Sequence, residues 1–216
     1  MDSQFWIKAW KEGRTAFHQD KVHGKLVEFF SLLGAEGGQK ILVPLCGKTK
    51  DLIWLQDQHL HVHGVELYEE AVKAFFTENN LSPVTVSKTP DFSEYKYRDI
   101  HICQGDFFKL QGPETFDLVY DRASLVALPE SMRKDYAQVI TRVLKKKGKY
   151  LLIVYDYDQS KMDGPPFSVK ENEIYSLYEK AFSIKLLDMQ PALQEGSRLS
   201  AMGDGIKQNV FLLEKK

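Results

Sequence analysis

The chain of 216 residues has little of several things that would narrow its function at once. It holds two cysteines, Cys46 and Cys103, each in an apolar stretch without a second thiol at metal-ligand spacing. Reduced core cysteines are therefore expected, and neither a disulfide framework nor a metal site. Charge of one sign is missing too: 29 basic residues face 30 acidic ones, which gives no field for a nucleic acid or an anionic membrane. No apolar run approaches the roughly 20 residues of a membrane span. The opening MDSQFWIKAWKEG is amphipathic and mixed in charge, without a signal peptide's apolar core. A soluble, cytoplasmic protein is expected.

Phosphate-binding glycines are also lacking. In VPLCGKTKDL, residues 43–52, apolar residues run through Gly-Lys-Thr into a helical pattern. A phosphate loop needs another glycine five positions before Gly47, where Leu42 stands. The dinucleotide pattern G-x-G-x-x-G ending at Gly47 needs glycines at 42 and 44, and these are Leu42 and Pro44. The turn keeps one glycine, so a ligand without a chain of phosphates is expected there.

What is present alternates. Val22, Leu26, Phe29, Phe30 and Leu33 recur at helical spacing up to Gly34. Strand-like stretches follow at 40–45, 61–67, 100–104, 116–120 and 150–155, with helical patterns after Asp51 and over 69–76, and a further helix ending at Gly148 with the basic run 145–149 at its end. Strands alternating with helices predict a parallel sheet covered on both faces. Residues 107–115 are short for the covering helix of a crossover. Beyond the turn-rich MDGPPF, Ser168 and Glu171 have capping-box spacing for a last helix. Stretches 184–189 and 209–213 then read as an antiparallel pair. One domain over 1–216 is expected.

Ligands of open α/β sheets lie beyond the carboxyl ends of the strands. Glu66 ends the second stretch nineteen residues after Gly47, about where an acid takes ribose hydroxyls; Asp106 ends the third, and Asp121-Arg122 the fourth. A nucleoside with ribose hydroxyls and a charged tail but no pyrophosphate fits S-adenosylmethionine better than NAD or ATP. Trp6, Trp10 and Phe17, beside Arg14, can supply aromatic faces to a sulfonium cation, so residues 1–20 are expected to cover the cofactor site; the competing expectation is that they pack a first helix onto the body. Two other functions share these features: a nicotinamide-dependent oxidoreductase, which the missing glycines disfavour, and a non-catalytic nucleoside-binding protein.

Over nearly its whole length the chain resembles the bacterial type of thiopurine S-methyltransferase. The carrying motifs are FWIKAWKEGRTAFH (5–18), VPLCGKTKDLIWL (43–55), GVEL (64–67), YDRASLVALPESMR (120–133) and YDQSKMDGPPFSV (157–169). The resemblance implies a class I, Rossmann-like methyltransferase fold: a seven-stranded, mostly parallel sheet with an antiparallel final strand and helices on both faces. It implies methyl transfer from S-adenosylmethionine, leaving S-adenosylhomocysteine, to a sulfur or selenium nucleophile, without a metal. It places cofactor contacts at Trp10, Leu45, Glu66 and Arg122, with Gly47 and Asp106 alongside, and the acceptor at Phe17; Arg122 is a further acceptor-side candidate because its charge favours a thiolate. No catalytic residue is assigned. His18, Asp156 and Asp158 are weaker proton-acceptor candidates, Ser124 a residue that could alter the acceptor pocket, and loop 194–205 matches no pattern of the family. A monomer with a small thiol or selenium acceptor is expected, with no nucleic acid or membrane partner.

Overall fold

A computed structural model describes residues 3–15, 17–191 and 205–216. Its centre is a twisted sheet in the order β3-β4-β5-β2-β1-β6-β7-β9-β8. The parallel core is β5 (Ile100–Gly105), β2 (His61–Glu66), β1 (Lys40–Val43), β6 (Phe116–Arg122) and β7 (Leu144–Asp156). At one edge β9 (Lys207–Lys215) lies antiparallel between β7 and β8 (Phe182–Pro191). These seven strands match the expectation, including the antiparallel closing pair.

Among the described residues the sheet has nine strands, not seven. A hairpin of β3 (Val84–Lys88) and β4 (Phe92–Tyr97) adds antiparallel to β5 at the other edge. Its signal is short and irregular: β3 reads VTVSK, alternating over four residues with Val84 exposed, and β4 reads FSEYKY, with five of its six positions half-buried. Pairing of backbone groups along the β5 edge, more than burial, holds it in place.

Two apolar layers explain the alternation in the core strands. Ile41 and Val43 of β1 face one layer with Leu52 and Leu55 of α3 (Asp51–Asp57) and Val72 and Phe75 of α4 (Glu69–Glu78). Leu42, between them, faces the other with Tyr136, Ile140 and Val143 of α5 (Glu130–Val143) and Ile174 of α6 (Glu171–Tyr178). α2 (Gly24–Phe29) passes into a 3-10 turn (Phe30–Leu33) and stops at Gly34 in the left-handed conformation, as its spacing predicts. Between β5 and β6 there is only a 3-10 turn, Phe107–Lys109, in agreement with the shortness of that segment.

Two local expectations fail. The basic run is not a helix end: α5 stops at Val143, Leu144 pairs with Phe116, and Lys145–Gly148 loop out before Lys149 resumes pairing with Leu118. The burial of Leu144 draws the chain into the sheet earlier, and Lys145 is held by Asp117 at 2.7 Å. Nor does Ser168 cap α6; its hydroxyl instead accepts from the Tyr157 amide at 3.0 Å, and the helix starts after Lys170. No helix among the described residues is long and apolar enough to cross a membrane.

Candidate active site

From β1 the chain moves outward to β2 and β5, then returns across β1 to β6 on its other side, so the strand order reverses between β1 and β6. Neighbouring loops diverge there, and a crevice opens beyond the carboxyl ends of the strands. In this molecule it is a cavity of about 980 Å³, roofed by α1 (Ser3–Lys11) and the residues after it. It is at the large end of the size range of small-molecule sites.

The turn after β1 is shaped by two residues of positive φ, Leu45 at 44° and Gly47 at 55°. A left-handed leucine costs roughly 1–2 kcal/mol, and β2 holds the turn in that shape: the Cys46 amide donates to the Val65 carbonyl at 3.0 Å, and the Gly47 amide to Glu66 Oε2 at 2.9 Å. Gly64 permits the approach, because a Cβ there would stand 2.7 Å from Cys46 Sγ. Gly47 itself lies under Trp10, whose ring would be 3.1 Å from an added Cβ. The single glycine of the turn thus makes room for an indole above it as well as for the backbone shape.

Glu66 is the best-braced acid of the site. Oε2 accepts from Gly47 and Oε1 from the Tyr68 amide at 2.8 Å. Burial raises its pKa, and the backbone donors at Tyr68, Gly47 and Leu67 pull the other way by favouring the carboxylate. Tyr68 then stacks on Trp10 at 6.4 Å, so acid, turn and roof form one unit. Asp106 lies next along the sheet and caps the 3-10 turn by accepting from the Phe108 amide at 3.0 Å. At the far side Arg122 ends β6 half-buried, and its buried Nε has no hydrogen-bond partner.

The roof is aromatic. Phe17 packs edge-on against Trp6 at 5.7 Å and Trp10 at 5.4 Å, and Arg14 lies over Phe5 while pairing with Glu12. The seven residues singled out from the sequence, Trp10, Phe17, Leu45, Gly47, Glu66, Asp106 and Arg122, all line this one cavity, as does His18.

Other candidates lie elsewhere. Asp121 is fully buried and points into the core, where Tyr136 and Tyr150 donate to it at 2.6 and 2.8 Å. Ser124 is also fully buried; its hydroxyl donates to the Pro44 carbonyl at 2.6 Å, tying the end of β6 to the turn after β1 instead of lining the acceptor space. Asp156 and Asp158 border a separate shallow depression with Lys170 and Lys207, and Asp158 accepts from Ser160. Loop 194–205 lies outside the described residues apart from Gly205. Both cysteines are free thiols. Cys46 borders the cavity, but burial and the nearby Glu66 push its pKa well up, which makes it a poor nucleophile.

Sequence reasoning missed Asp51, Tyr120, Met132, Tyr155 and the pair Pro165 and Pro166, all on the cavity wall. Asp51, buried in the first turn of α3, accepts from the Tyr120 hydroxyl at 3.0 Å and the His23 amide at 2.8 Å. The two prolines carried a signal, the unusual GPP of the loop, but no spacing rule connects them with Gly47. Among the described residues no group of three or more histidine, cysteine or acidic side chains is arranged to hold a metal ion.

Comparison with known proteins gives a consistent picture. A family model described as thiopurine S-methyltransferase matches residues 1–216. The thiopurine S-methyltransferase of Aliivibrio salmonicida is 40% identical over 99% of this chain and 100% of its own. That of Bordetella petrii is 42% identical over 94% of this chain and 93% of its own. Among solved structures, a Burkholderia thailandensis 1,6-didemethyltoxoflavin N1-methyltransferase with bound 1,6-didemethyltoxoflavin and S-adenosylhomocysteine aligns with a TM-score of 0.66 at 16% identity, covering 99% of this chain and 86% of that one. A TehB-like S-adenosylmethionine-dependent methyltransferase of Corynebacterium glutamicum aligns with a TM-score of 0.60 at 16% identity, covering 99% and 98%. At such identities the structural likeness shows a shared fold.

Proposed function

The chain belongs to the thiopurine S-methyltransferase family and is an S-adenosylmethionine-dependent methyltransferase; from that premise we propose that it methylates a small thiol or selenium compound in the cavity beneath α1. The carrying observation is Glu66, a buried acid with both oxygens fixed by backbone amides and acceptor capacity still free. Such a group suits the two hydroxyls of a ribose. The one-glycine turn beside it, with Leu42 and Pro44 where a dinucleotide site has glycines, suits a nucleoside without phosphates. A nicotinamide-dependent oxidoreductase is not favoured.

The residues present fit S-adenosylmethionine. Glu66 would hold the ribose, Leu45 and Gly47 the sugar and methionyl portion, and Asp106 would lie alongside; Trp10 would cover the sulfonium end, where an aromatic face attracts a cation by about 0.5–2 kcal/mol. When bound, the cofactor supplies an electrophilic methyl group on a positively charged sulfur. The protein's part is positioning, since an in-line displacement gains chiefly from aligned reactants and excluded water. Phe17 and Trp6 shape an apolar acceptor wall, and Pro165 and Pro166 contribute to the cavity surface. Arg122 offers a fixed positive charge and an unpartnered buried Nε to an anionic partner, either the methionyl carboxylate or the acceptor's thiolate. Residues 1–20 act in this reading as the cover of the cofactor site, and the enzyme works as a cytoplasmic monomer without a metal.

Calorimetry against S-adenosylhomocysteine, ATP and NAD, followed by labelled methyl transfer to a heterocyclic thiol, an aliphatic thiol and a selenol, tests the reading. Binding of the first ligand alone and labelled product from at least one acceptor are expected, and Arg122→Ala lowers turnover or cofactor affinity at least about tenfold. Uptake of ATP or NAD without S-adenosylhomocysteine would overturn it.

A further inference from the structure

We propose that His18 is the general base of the reaction, accepting the proton of the acceptor's thiol as its sulfur attacks. The inference rests on the methyl-transfer reading and assigns a residue to its proton step. His18 follows Phe17 in the segment after α1, its side chain is 14% exposed, and it borders the cavity with Arg122 and Phe17. Nε2 stands 3.5 Å from Asp20 Oδ1. That contact lies on the Nε2 side of the ring, and Nδ1 is the nitrogen we assign to the acceptor's proton.

Four charged groups act on the ring: Asp20 from its own segment, Lys48 from the turn after β1, Glu78 from the end of α4 and Arg122 from the end of β6. Burial, followed by Lys48, holds the imidazole below its ordinary pKa of 6.5, with Arg122 adding to this and Asp20 and Glu78 opposing. The ring is therefore neutral at pH 7 and free to accept a proton. The other groups of the cavity suit the task less well. Arginines cannot accept a proton. Cys46 is a buried thiol, Glu66 is engaged by two amides, and Asp51 holds the Tyr120 hydroxyl and the His23 amide.

The step balances. The S–H bond breaks and its proton goes to Nδ1, the sulfur's electron pair forms the new S–C bond, and the pair of the old C–S bond stays on the departing thioether. His18 then passes its proton to water, so each turnover releases one proton. Because a thiolate needs no base, dependence on His18 should grow with the acceptor's pKa. That distinguishes a base from a residue that only shapes the wall.

The test compares wild type with His18→Gln on two acceptors, a heteroaryl thiol already ionised at pH 7 and an alkyl thiol of pKa about 9. Expected is a loss in kcat/KM of about 100-fold for the alkyl thiol and under about threefold for the ionised one. The fall of the wild-type rate at low pH, where His18 becomes protonated, should disappear in the variant. Equal losses with both acceptors, or none with either, overturn the proposal. If His18→Gln folds poorly, the wild-type protein decides: an acid limb in kcat/KM for the alkyl thiol whose midpoint coincides with the NMR titration of the His18 ring, below 6.5, supports the role, and an acid limb that does not follow that titration overturns it. A wild-type protein that neither binds S-adenosylhomocysteine nor methylates any thiol overturns the methyl-transfer reading itself, and the base role with it.

Discussion

β2 and β6 flank β1 on either side, and each carries a buried acid at its carboxyl end, Glu66 as the last residue of one and Asp121 as the last but one of the other. Burial raises the pKa of both. Their partners separate them. Asp121 takes two tyrosine hydroxyls on Oδ2 and the amides of Ser124 and Leu125 on Oδ1, which fills the acceptor capacity of a carboxylate. Glu66 takes the Gly47 amide on Oε2 and the Tyr68 amide on Oε1, with the Leu67 amide as a further donor, and faces a cavity without any side-chain hydroxyl on it. An acid whose lone pairs are used up by the protein is structural, whereas one that is braced but unfilled is ready for a ligand. In β6 the alternation of a strand sends Arg122 to the site and Asp121 to the core.

The contrast predicts opposite losses. Asp121→Ala strands two buried hydroxyls and two amides, each costing about 1–3 kcal/mol when unpaired, so unfolding in urea should show at least about 3 kcal/mol of lost stability. Cofactor affinity in the fraction that remains folded should hardly change. Next in size, Glu66→Gln should weaken S-adenosylhomocysteine binding about 10- to 100-fold by calorimetry, since a hydrogen bond to a charged group contributes about 1.5–3 kcal/mol, while stability falls less than with Asp121→Ala. If the two variants exchange these outcomes, the distinction fails.

A third effect concerns a buried ring whose Nδ1 has no hydrogen-bond partner among the described residues. His23 is 6% exposed, its Nδ1 is unpaired, and burial, followed by Arg122 and Lys25, lowers its pKa from 6.5 to about 3. Below pH 6.5 the unfolded chain binds a proton that the folded chain refuses until about pH 3, so stability falls as pH falls through that window. Between pH 6.5 and 5 this amounts to about 2 kcal/mol. His23→Phe should flatten the slope of urea-derived stability against pH over this range; an unchanged slope would assign the acid sensitivity to another group.

Burial is what made parts of this molecule legible. The core strands and Gly34 stood out because apolar spacing and a left-handed helix end leave marks on a single sequence. Gly47 and Glu66 stood out because a ribose-binding acid has a typical distance from its turn. The β3–β4 hairpin left only a faint mark, VTVS in β3, because Val84 is exposed and the apolar positions of β4, FSEYKY, do not alternate. Lys145–Gly148 misled because cations suit a helix end as well as an exposed loop within a strand. Asp51 and Asp121 show the remaining limit: both are acids near the site, and which of them lines it depends on tertiary direction that spacing does not encode.

The smallest predicted effect asks whether the two strand ends are independent. The Ser124 hydroxyl joins the β6 end to the turn after β1, which β2 braces from the other side, by donating to the Pro44 carbonyl at 2.6 Å, yet it stays outside the cavity. Ser124→Ala removes one buried hydrogen bond, a loss of about 1 kcal/mol, which in a chain of this size lowers the melting temperature by about 2–4 °C. If the turn after β1 is held mainly from the β2 side, through Val65 and Glu66, S-adenosylhomocysteine affinity should stay within about twofold of wild type. A tenfold drop would mean that the β6 end also sets the shape of Leu45 and Gly47, and that the structural half of the comparison reaches into the binding half.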